Sequence, residues 1–272
     1  MKDYVKFDLH THHERCGHAK GTIRDYIESS IEKGLQIIGI SDHTPYFSSK
    51  EDQPHPNIAM AKSQFEEYIT EVLRLKEQYK NQIEVLLGIE ADFFPEYAEA
   101  YRKIFKPYPF DYIIGSVHHL DGVSIFDKNR WEGLSSQEKI KTKESYYELI
   151  EQSASSGMFQ VLGHIDAMKG YYPAFSAIET DVVEKTLKTI GENDMAIEIN
   201  TSGKTKYCGG WYPANEILER ALFHNVKVTF GSDAHNPDRI ADEFEEVRKL
   251  LKEIGFRQWA YFRQQKRVMT DL

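Results

Sequence analysis

In Lys227-Val228-Thr229-Phe230-Gly231-Ser232-Asp233-Ala234-His235, a run of apolar, β-branched and aromatic residues passes straight into a carboxylate and an imidazole. Lys227–Ser232 has the composition of a short strand buried on both faces. Asp233 and His235 stand just past its C-terminal end. The arrangement recurs upstream. Apolar runs cover Tyr4–His10, Gln36–Ser41, Glu84–Ala91, Asp111–Val117, Gln160–His164 and Met195–Asn200, which with Lys227–Ser232 make seven predicted strands.

Amphipathic patterns fill the gaps. Thr22 is placed to cap a helix, with Asp25 three residues on in the manner of a capping box. Ile23, Tyr26, Ile27 and Ile31 mark its apolar face, and Gly34 ends it. Phe65, Tyr68, Ile69, Val72, Leu75 and Tyr79 keep the helical period in a second helix. Further helices are predicted over Ser136–Ser155, Glu179–Ile190, Pro213–Phe223 and Pro237–Ile254, and a shorter one over Glu96–Phe105. In the Pro237–Ile254 helix, Asn236 suits the cap and Pro237 the first position. Strands alternating with helices predict a βα-repeating α/β domain. No Gly-, Ser- or Pro-rich linker, charge block or repeat divides the chain, so residues 1–272 read as one domain. A seven- or eight-stranded barrel fits this pattern, and so does an open doubly wound sheet. Three long connections, Thr44–Asn57, Leu120–Ser135 and Thr201–Tyr212, each follow a strand. In α/β folds the functional site forms at that end of the sheet, so these loops are its predicted walls.

Of the 272 residues, 40% are hydrophobic and 12% aromatic, enough for a large core, which excludes a disordered or fibrous chain. Lys and Arg number 34 against 43 Asp and Glu, a formal charge of −9, which argues against bulk nucleic-acid binding. No apolar stretch approaches the ~18 residues of a membrane span. The start, Met1-Lys2-Asp3-Tyr4-Val5-Lys6, does not read as a signal peptide. Cys16 and Cys208 alone cannot build a disulfide framework. These features predict a reduced, cytoplasmic, globular protein, and they leave its oligomeric state unreadable.

The placement of the eleven histidines is less ordinary. His10 and His12 are two apart at the end of the first predicted strand, so both imidazoles reach one side. His18 follows in the same loop. His43 ends the second strand in Ser41-Asp42-His43, Glu90 the third in Gly88-Ile89-Glu90, His118 the fourth in Gly115-Ser116-Val117-His118, and His164 the fifth in Gly163-His164. Taken singly, each reads better as a solvated or hydrogen-bonded surface residue. Together they collect on one rim of a βα fold. Imidazole and carboxylate suit zinc, iron or manganese. Nine such groups are too many for one ion, and the pattern predicts a polynuclear metal site. Asp42 is placed to orient a ligand from behind. His13 and His119 adjoin ligands and either touch substrate or face away.

In these motifs, taken in order from residue 7 to about residue 255, the chain resembles the polymerase and histidinol phosphatase (PHP) superfamily. Cys16-Gly17-His18-Ala19, Phe110–His119 and Glu198-Ile199-Asn200-Thr201-Ser202-Gly203 are most similar to its histidinol-phosphate phosphatase branch. The resemblance implies a distorted, TIM-like, seven-stranded (β/α) barrel and favours a barrel over the open sheet. It also implies three divalent ions. His10, His12, Glu90 and Asp233 would hold the first. Glu90 would bridge to a second, completed by His118 and His164. His18, His43 and His235 would hold the third.

The chemistry this implies is hydrolysis of a small-molecule phosphate monoester, L-histidinol phosphate, to L-histidinol and phosphate in histidine biosynthesis. Two ions ~3.5–4 Å apart can share a hydroxide and lower the pKa of water toward ~7. Glu90, Asp233 and His118 are the expected catalytic residues. Arg15, His119, Lys169, Asn200 and Lys204 are candidates for substrate contact, with Lys206 beside them. The loops at His13-Glu14-Arg15 and Lys204-Thr205-Lys206-Tyr207 depart from what relatives often carry. A phosphodiester of nucleotides or a phosphotyrosine therefore stays open as an alternative substrate. The sequence has no G-x-x-x-x-G-K-[ST] phosphate loop and no G-x-S-x-G elbow.

Overall fold

In the computed structural model, which describes residues 4–272, the strands are β1 (Phe7–Asp8), β2 (Ile37–Ile40), β3 (Glu84–Leu87), β4 (Glu90–Asp92), β5 (Ile114–Ser116), β6 (His119–Leu120), β7 (Val123–Ser124), β8 (Val161–Leu162), β9 (Ala196–Asn200), β10 (Lys227–Gly231), β11 (Gln258–Arg263) and β12 (Lys266–Asp271). Met1, Lys2 and Asp3, part of the stretch read against a signal peptide, lie outside the described residues. The helices are α1 (Ile23–Glu32), α2 (Phe65–Tyr79), α3 (Ala98–Phe105), α4 (Ser136–Ser155), α5 (Val182–Glu192), α6 (Asn215–Phe223) and α7 (Phe244–Ile254).

The α/β architecture is as expected, and every predicted strand run contains a strand. Eight of the strands form two parallel sheets, β1-β2-β3 and β10-β9-β8-β5-β4, while β6–β7 and β11–β12 are antiparallel hairpins. Irregular pairing joins their margins. On one side Leu9 donates its N–H to the Phe230 carbonyl (3.2 Å) and His12 to that of Ala234 (3.0 Å). On the other, Thr44 donates to the Glu90 carbonyl (2.8 Å), next to a single parallel bridge between His43 and Glu90.

The run predicted as one strand over Glu84–Ala91 divides into β3 and β4, and two tyrosines explain the break. The Tyr68 hydroxyl lies 2.7 Å from the Gly88 carbonyl, which is thereby drawn away from a regular ladder. Tyr112 crosses the interior to donate its hydroxyl to the Leu9 carbonyl (2.5 Å). Its path needs glycine. A Cβ on Gly39 would lie 2.0 Å from the Tyr112 hydroxyl, and one on Gly88 2.3 Å from the ring's Cζ.

Helix starts follow their caps. Thr22 and Asp25 form the capping box of α1, and Ser135 and Glu138 form that of α4. The apolar face predicted for α2 is buried residue for residue, and it packs on β3. Four helices start later than predicted, α5 at Val182 and α6 at Asn215 among them, and for α3 and α7 the cause is visible. Pro95–Tyr97 forms a single 3₁₀ turn before α3. Asn236 caps a 3₁₀ turn at Pro237–Arg239, after which Ala241 and Glu243 take φ of +54° and +58°, which no α-helix continues through. Hence α7 begins only at Phe244.

The antiparallel hairpin β11–β12 was not foreseen. Trp259 is its anchor, fully buried with its ring 4.9 Å from Phe7 and 4.7 Å from Phe244. Arg263 reaches Glu84 at the start of β3 with two bonds of 2.6 Å, and Gln265 donates its N–H to the Asp111 carbonyl (2.8 Å). The hairpin thus covers the strands' N-terminal ends and leaves the opposite rim open. No helix among the described residues is long and apolar enough to cross a membrane.

Candidate metal centre

On the open rim, five strand ends deliver donors. His10 and His12 follow β1, His43 follows β2, His118 follows β5, His164 follows β8, and Asp233 and His235 follow β10. Glu90 sits one step differently from the expectation. It begins β4, just past the break at Gly88-Ile89, and this turns its side chain into the centre.

Glu90 is the hub. Its Oε2 lies 2.8 Å from His43 Nδ1, 3.4 Å from His10 Nε2 and 3.6 Å from His12 Nε2. Its Oε1 lies 3.1 Å from His164 Nε2 and 3.5 Å from His118 Nε2, and accepts from Ser116 Oγ at 2.6 Å. Asp233 Oδ1 is 3.0 Å from His12 Nε2 and 3.4 Å from His235 Nδ1. His18 Nε2 faces His235 Nε2 at 2.8 Å, and His118 Nε2 faces His164 Nε2 at 3.2 Å.

These atoms fit metal ions. The Nε2 atoms of His10 and His12 and Oε2 of Glu90 are buried without a hydrogen-bond partner. Each such orphan costs about 1–3 kcal/mol unless something else satisfies it, and a cation at their focus would satisfy all of them. Three groups of donors lie close enough to share an ion: His10, His12 and Asp233; His12, His43 and His235; His43, Glu90 and His118.

Carboxylates behind the imidazoles set their orientation. Asp42 Oδ1 lies 3.2 Å from His12 Nδ1, Asp92 Oδ1 2.5 Å from His118 Nδ1, and Glu198 Oε1 2.6 Å from His10 Nδ1. An N–H held at Nδ1 leaves Nε2 free for a metal. Asn200 and Ser202 donate to Asp233 Oδ2 at 3.2 and 2.9 Å, which leaves Oδ1 facing His12 and His235. Sequence reasoning gave no role to Glu198 or Asp92. Each carries a signal. Glu198 is a carboxylate inside a run otherwise buried and apolar, and Asp92 is two residues from Glu90 and so shares its face.

Burial opposes ionisation of Glu90, yet His10, His43 and His118 hold its carboxyl well below the usual range. Asp233 is likewise depressed against its burial, by His10, His12 and His235. Both carboxyl groups are therefore held ionised against the imidazoles around them.

An open cleft of about 590 Å³ stands over these groups. Each of the three long loops contributes to its lining: Asn57, Phe126 and Lys206 are examples. Lys20 and Arg239 also line it and were not among the predicted contacts. Of those predicted, His119 lines the cleft. Arg15 does not, because Glu67 (3.2 Å) and Glu71 (2.7 Å) on α2 capture its guanidinium. Lys169 is buried against Asp166 (2.7 Å), and Lys204 turns to Glu243 (3.5 Å). Asn200 lies beneath the cleft, bonded to Asp233 and Glu198.

Known proteins match this chain over most of its length. A Deinococcus radiodurans protein named "Probable histidinol-phosphatase" is 31% identical over 253 residues, which span 92% of this chain and 94% of that one. The Bacillus subtilis "Histidinol-phosphatase" is 31% identical over 261 residues, spanning 88% and 97%. Among solved structures, the Lactococcus lactis histidinol phosphate phosphatase, complexed with zinc, L-histidinol and phosphate, has the same fold. The TM-score is 0.78 at 19% identity, covering 98% of this chain and 100% of that one. The model of the PHP domain matches residues 8–202, most of the described rim included, and the chain belongs to the PHP domain family.

Proposed function

We propose that the protein hydrolyses L-histidinol phosphate to L-histidinol and phosphate at a trinuclear metal site. The observation that carries this reading is the convergence of unpartnered donor atoms on Glu90 beneath a cleft edged by Lys20, Lys206 and Arg239. The names and extents of the relatives support the substrate. In this reading β1, β2, β3 with β4, β5, β8, β9 and β10 act as the seven staves of a distorted barrel, closed by the irregular pairing of β1 with β10.

His10, His12, Glu90 and Asp233 would hold one ion, Glu90, His118 and His164 a second, and His18, His43 and His235 a third. Bound there, divalent ions lower the pKa of water and offset the charge of a phosphate dianion. The chain's own groups do the rest. Glu90 spans the centre, its two oxygens facing different sets of imidazoles. Asn200 and Ser202 fix Asp233. Lys206 is assigned to pair with phosphate oxygens; Arg239 lines the cleft with its Nε on Asp242 (2.5 Å), and His119 faces the same cleft. Phe126 and Tyr171 give it apolar walls, which exclude water and suit an imidazole ring.

The test is phosphate release from L-histidinol phosphate measured beside p-nitrophenyl phosphate, a dinucleotide diester and phosphotyrosine. The reading expects a strong preference for L-histidinol phosphate. Equal or faster turnover of the diester or of phosphotyrosine would refute the substrate while leaving phosphoester hydrolysis standing.

A further inference from the structure

We propose that Glu198 is a positioning residue that ties the ligands of two metal ions into one unit; this rests on the polynuclear reading above. Glu198 stands in the middle of β9 and is 1% exposed. Three donors meet it. His10 Nδ1 lies 2.6 Å from Oε1, while the backbone N–H of His164 (3.2 Å) and Asn200 Nδ2 (3.0 Å) approach Oε2. The same Asn200 amide reaches Asp233 Oδ2 at 3.2 Å. One carboxylate thereby touches His10, assigned to the first ion, and His164, assigned to the second, and reaches Asp233 through a single side chain.

The backbone at two of these ligands needs such a hold. His164 has φ +26° and Asp233 φ +53°, left-handed conformations that a non-glycine residue keeps only where its surroundings compel it. At His164 the compelling contact is its N–H on Glu198. The fold also clears space for the carboxylate. A Cβ on Gly231 would stand 1.9 Å from Glu198 Oε1 and 2.6 Å from His10 Cβ. The glycine before Ser232-Asp233 is thus explained by Glu198 and not by the ligands alone.

Asp92 makes a contrast. It meets one ligand imidazole, His118, and holds no ligand's backbone N–H. Its loss loosens one ring. Asp42 resembles Glu198 on a smaller scale, its Oδ1 taking both His12 Nδ1 (3.2 Å) and the His43 N–H (2.9 Å). Loss of the Glu198 carboxylate frees His10, the His164 backbone and Asn200 together. A glutamine cannot replace it. It offers one acceptor oxygen, and its NH₂ must then face either the His10 N–H or the donors of His164 and Asn200.

The experiment strips the protein of metal, then measures Mn²⁺ or Zn²⁺ bound per chain by equilibrium dialysis in wild type, E198Q, E198D and D92N. Circular dichroism and melting of the stripped proteins report folding separately. E198Q should bind two of its equivalents about 10–100-fold more weakly, in step with one another. D92N should weaken one. E198D keeps the charge but draws it back by one methylene, and should behave as E198Q; it serves in place of E198Q if that variant does not fold. Wild-type stoichiometry and affinity in folded E198Q or E198D would overturn the proposal, as would loss of a single equivalent. A wild-type protein that binds no metal would instead overturn the polynuclear reading on which it rests.

Discussion

The donor rim and the loops above it place their functional side chains in different ways. On the rim, strand ends carry His10, His12, Glu90, His118, His164 and Asp233 inward, and buried carboxylates lock them from behind. In the loops, a charged side chain goes wherever its nearest partner draws it. Arg15 lies between His12 and His18 in sequence, yet Glu67 and Glu71 hold it outside the cleft. Lys128 is drawn to two rings, its ammonium 5.0 and 4.9 Å from those of Tyr171 and Tyr207. Position in sequence therefore predicts a rim residue's place far better than a loop residue's.

The strongest way to break this contrast is to remove a rim donor. His118→Ala should cut phosphate release on the order of 10³-fold, ~4 kcal/mol, the size of losing one preorganised electrostatic group. Circular dichroism should show an intact fold. Wild-type turnover with metals bound would sink the assignment of the rim.

The end of the molecule away from the rim should answer oppositely. Trp259→Ala removes the buried anchor of the β11–β12 hairpin and should cost about 3 kcal/mol or more of stability in a denaturant melt. KM and kcat at a permissive temperature should stay near wild type. A large change in KM with little loss of stability would mean that the hairpin communicates with the cleft.

The loops give a sharper comparison of smaller size. Lys206→Ala should raise KM for the phosphorylated substrate about tenfold, the worth of one hydrogen bond to a charged group. Arg15→Ala should leave it unchanged, since Arg15 is already paired on α2. A reversed order of the two effects in steady-state kinetics would show that the loops rearrange around substrate.

The smallest effect lies on the outer surface. Arg220 and His224 hold the Glu184 carboxyl down to about 2. A folded-state value below the ordinary 4.5 adds stability that is full above that value and is lost as pH falls toward 2. Because the pair is half exposed, Glu184→Gln should cost only about 0.2–1 kcal/mol at neutral pH. Melts of wild type and variant should converge below about pH 2. A constant gap from pH 7 down to 2 would rule the ion pairs out as its source.

Much of this molecule could be read from its sequence, for identifiable reasons. Strand ends carrying His or Asp gave the rim because alternating βα order places all such ends together. The face of α2 was legible because six apolar residues keep one period. The break at Gly88 was not, since it depends on Tyr68 and Tyr112, distant in sequence from the residues they meet. The hairpin was missed because Gln258–Asp271 mixes Trp, Tyr and Phe with charged residues on both arms, and only contact with Phe7 and Phe244 shows which face is inside. The loop cations escaped for the reason already given: acidic partners from other elements decide where they point.

The most direct test of the account is a metal titration read as chemistry. Stripped protein is supplied with increasing Mn²⁺ or Zn²⁺ while phosphate release from L-histidinol phosphate and bound metal are measured on the same sample. The account predicts negligible activity without metal and activity that rises until more than one equivalent is bound. Full activity in a stripped sample with no residual metal, or saturation at a single equivalent, would contradict it.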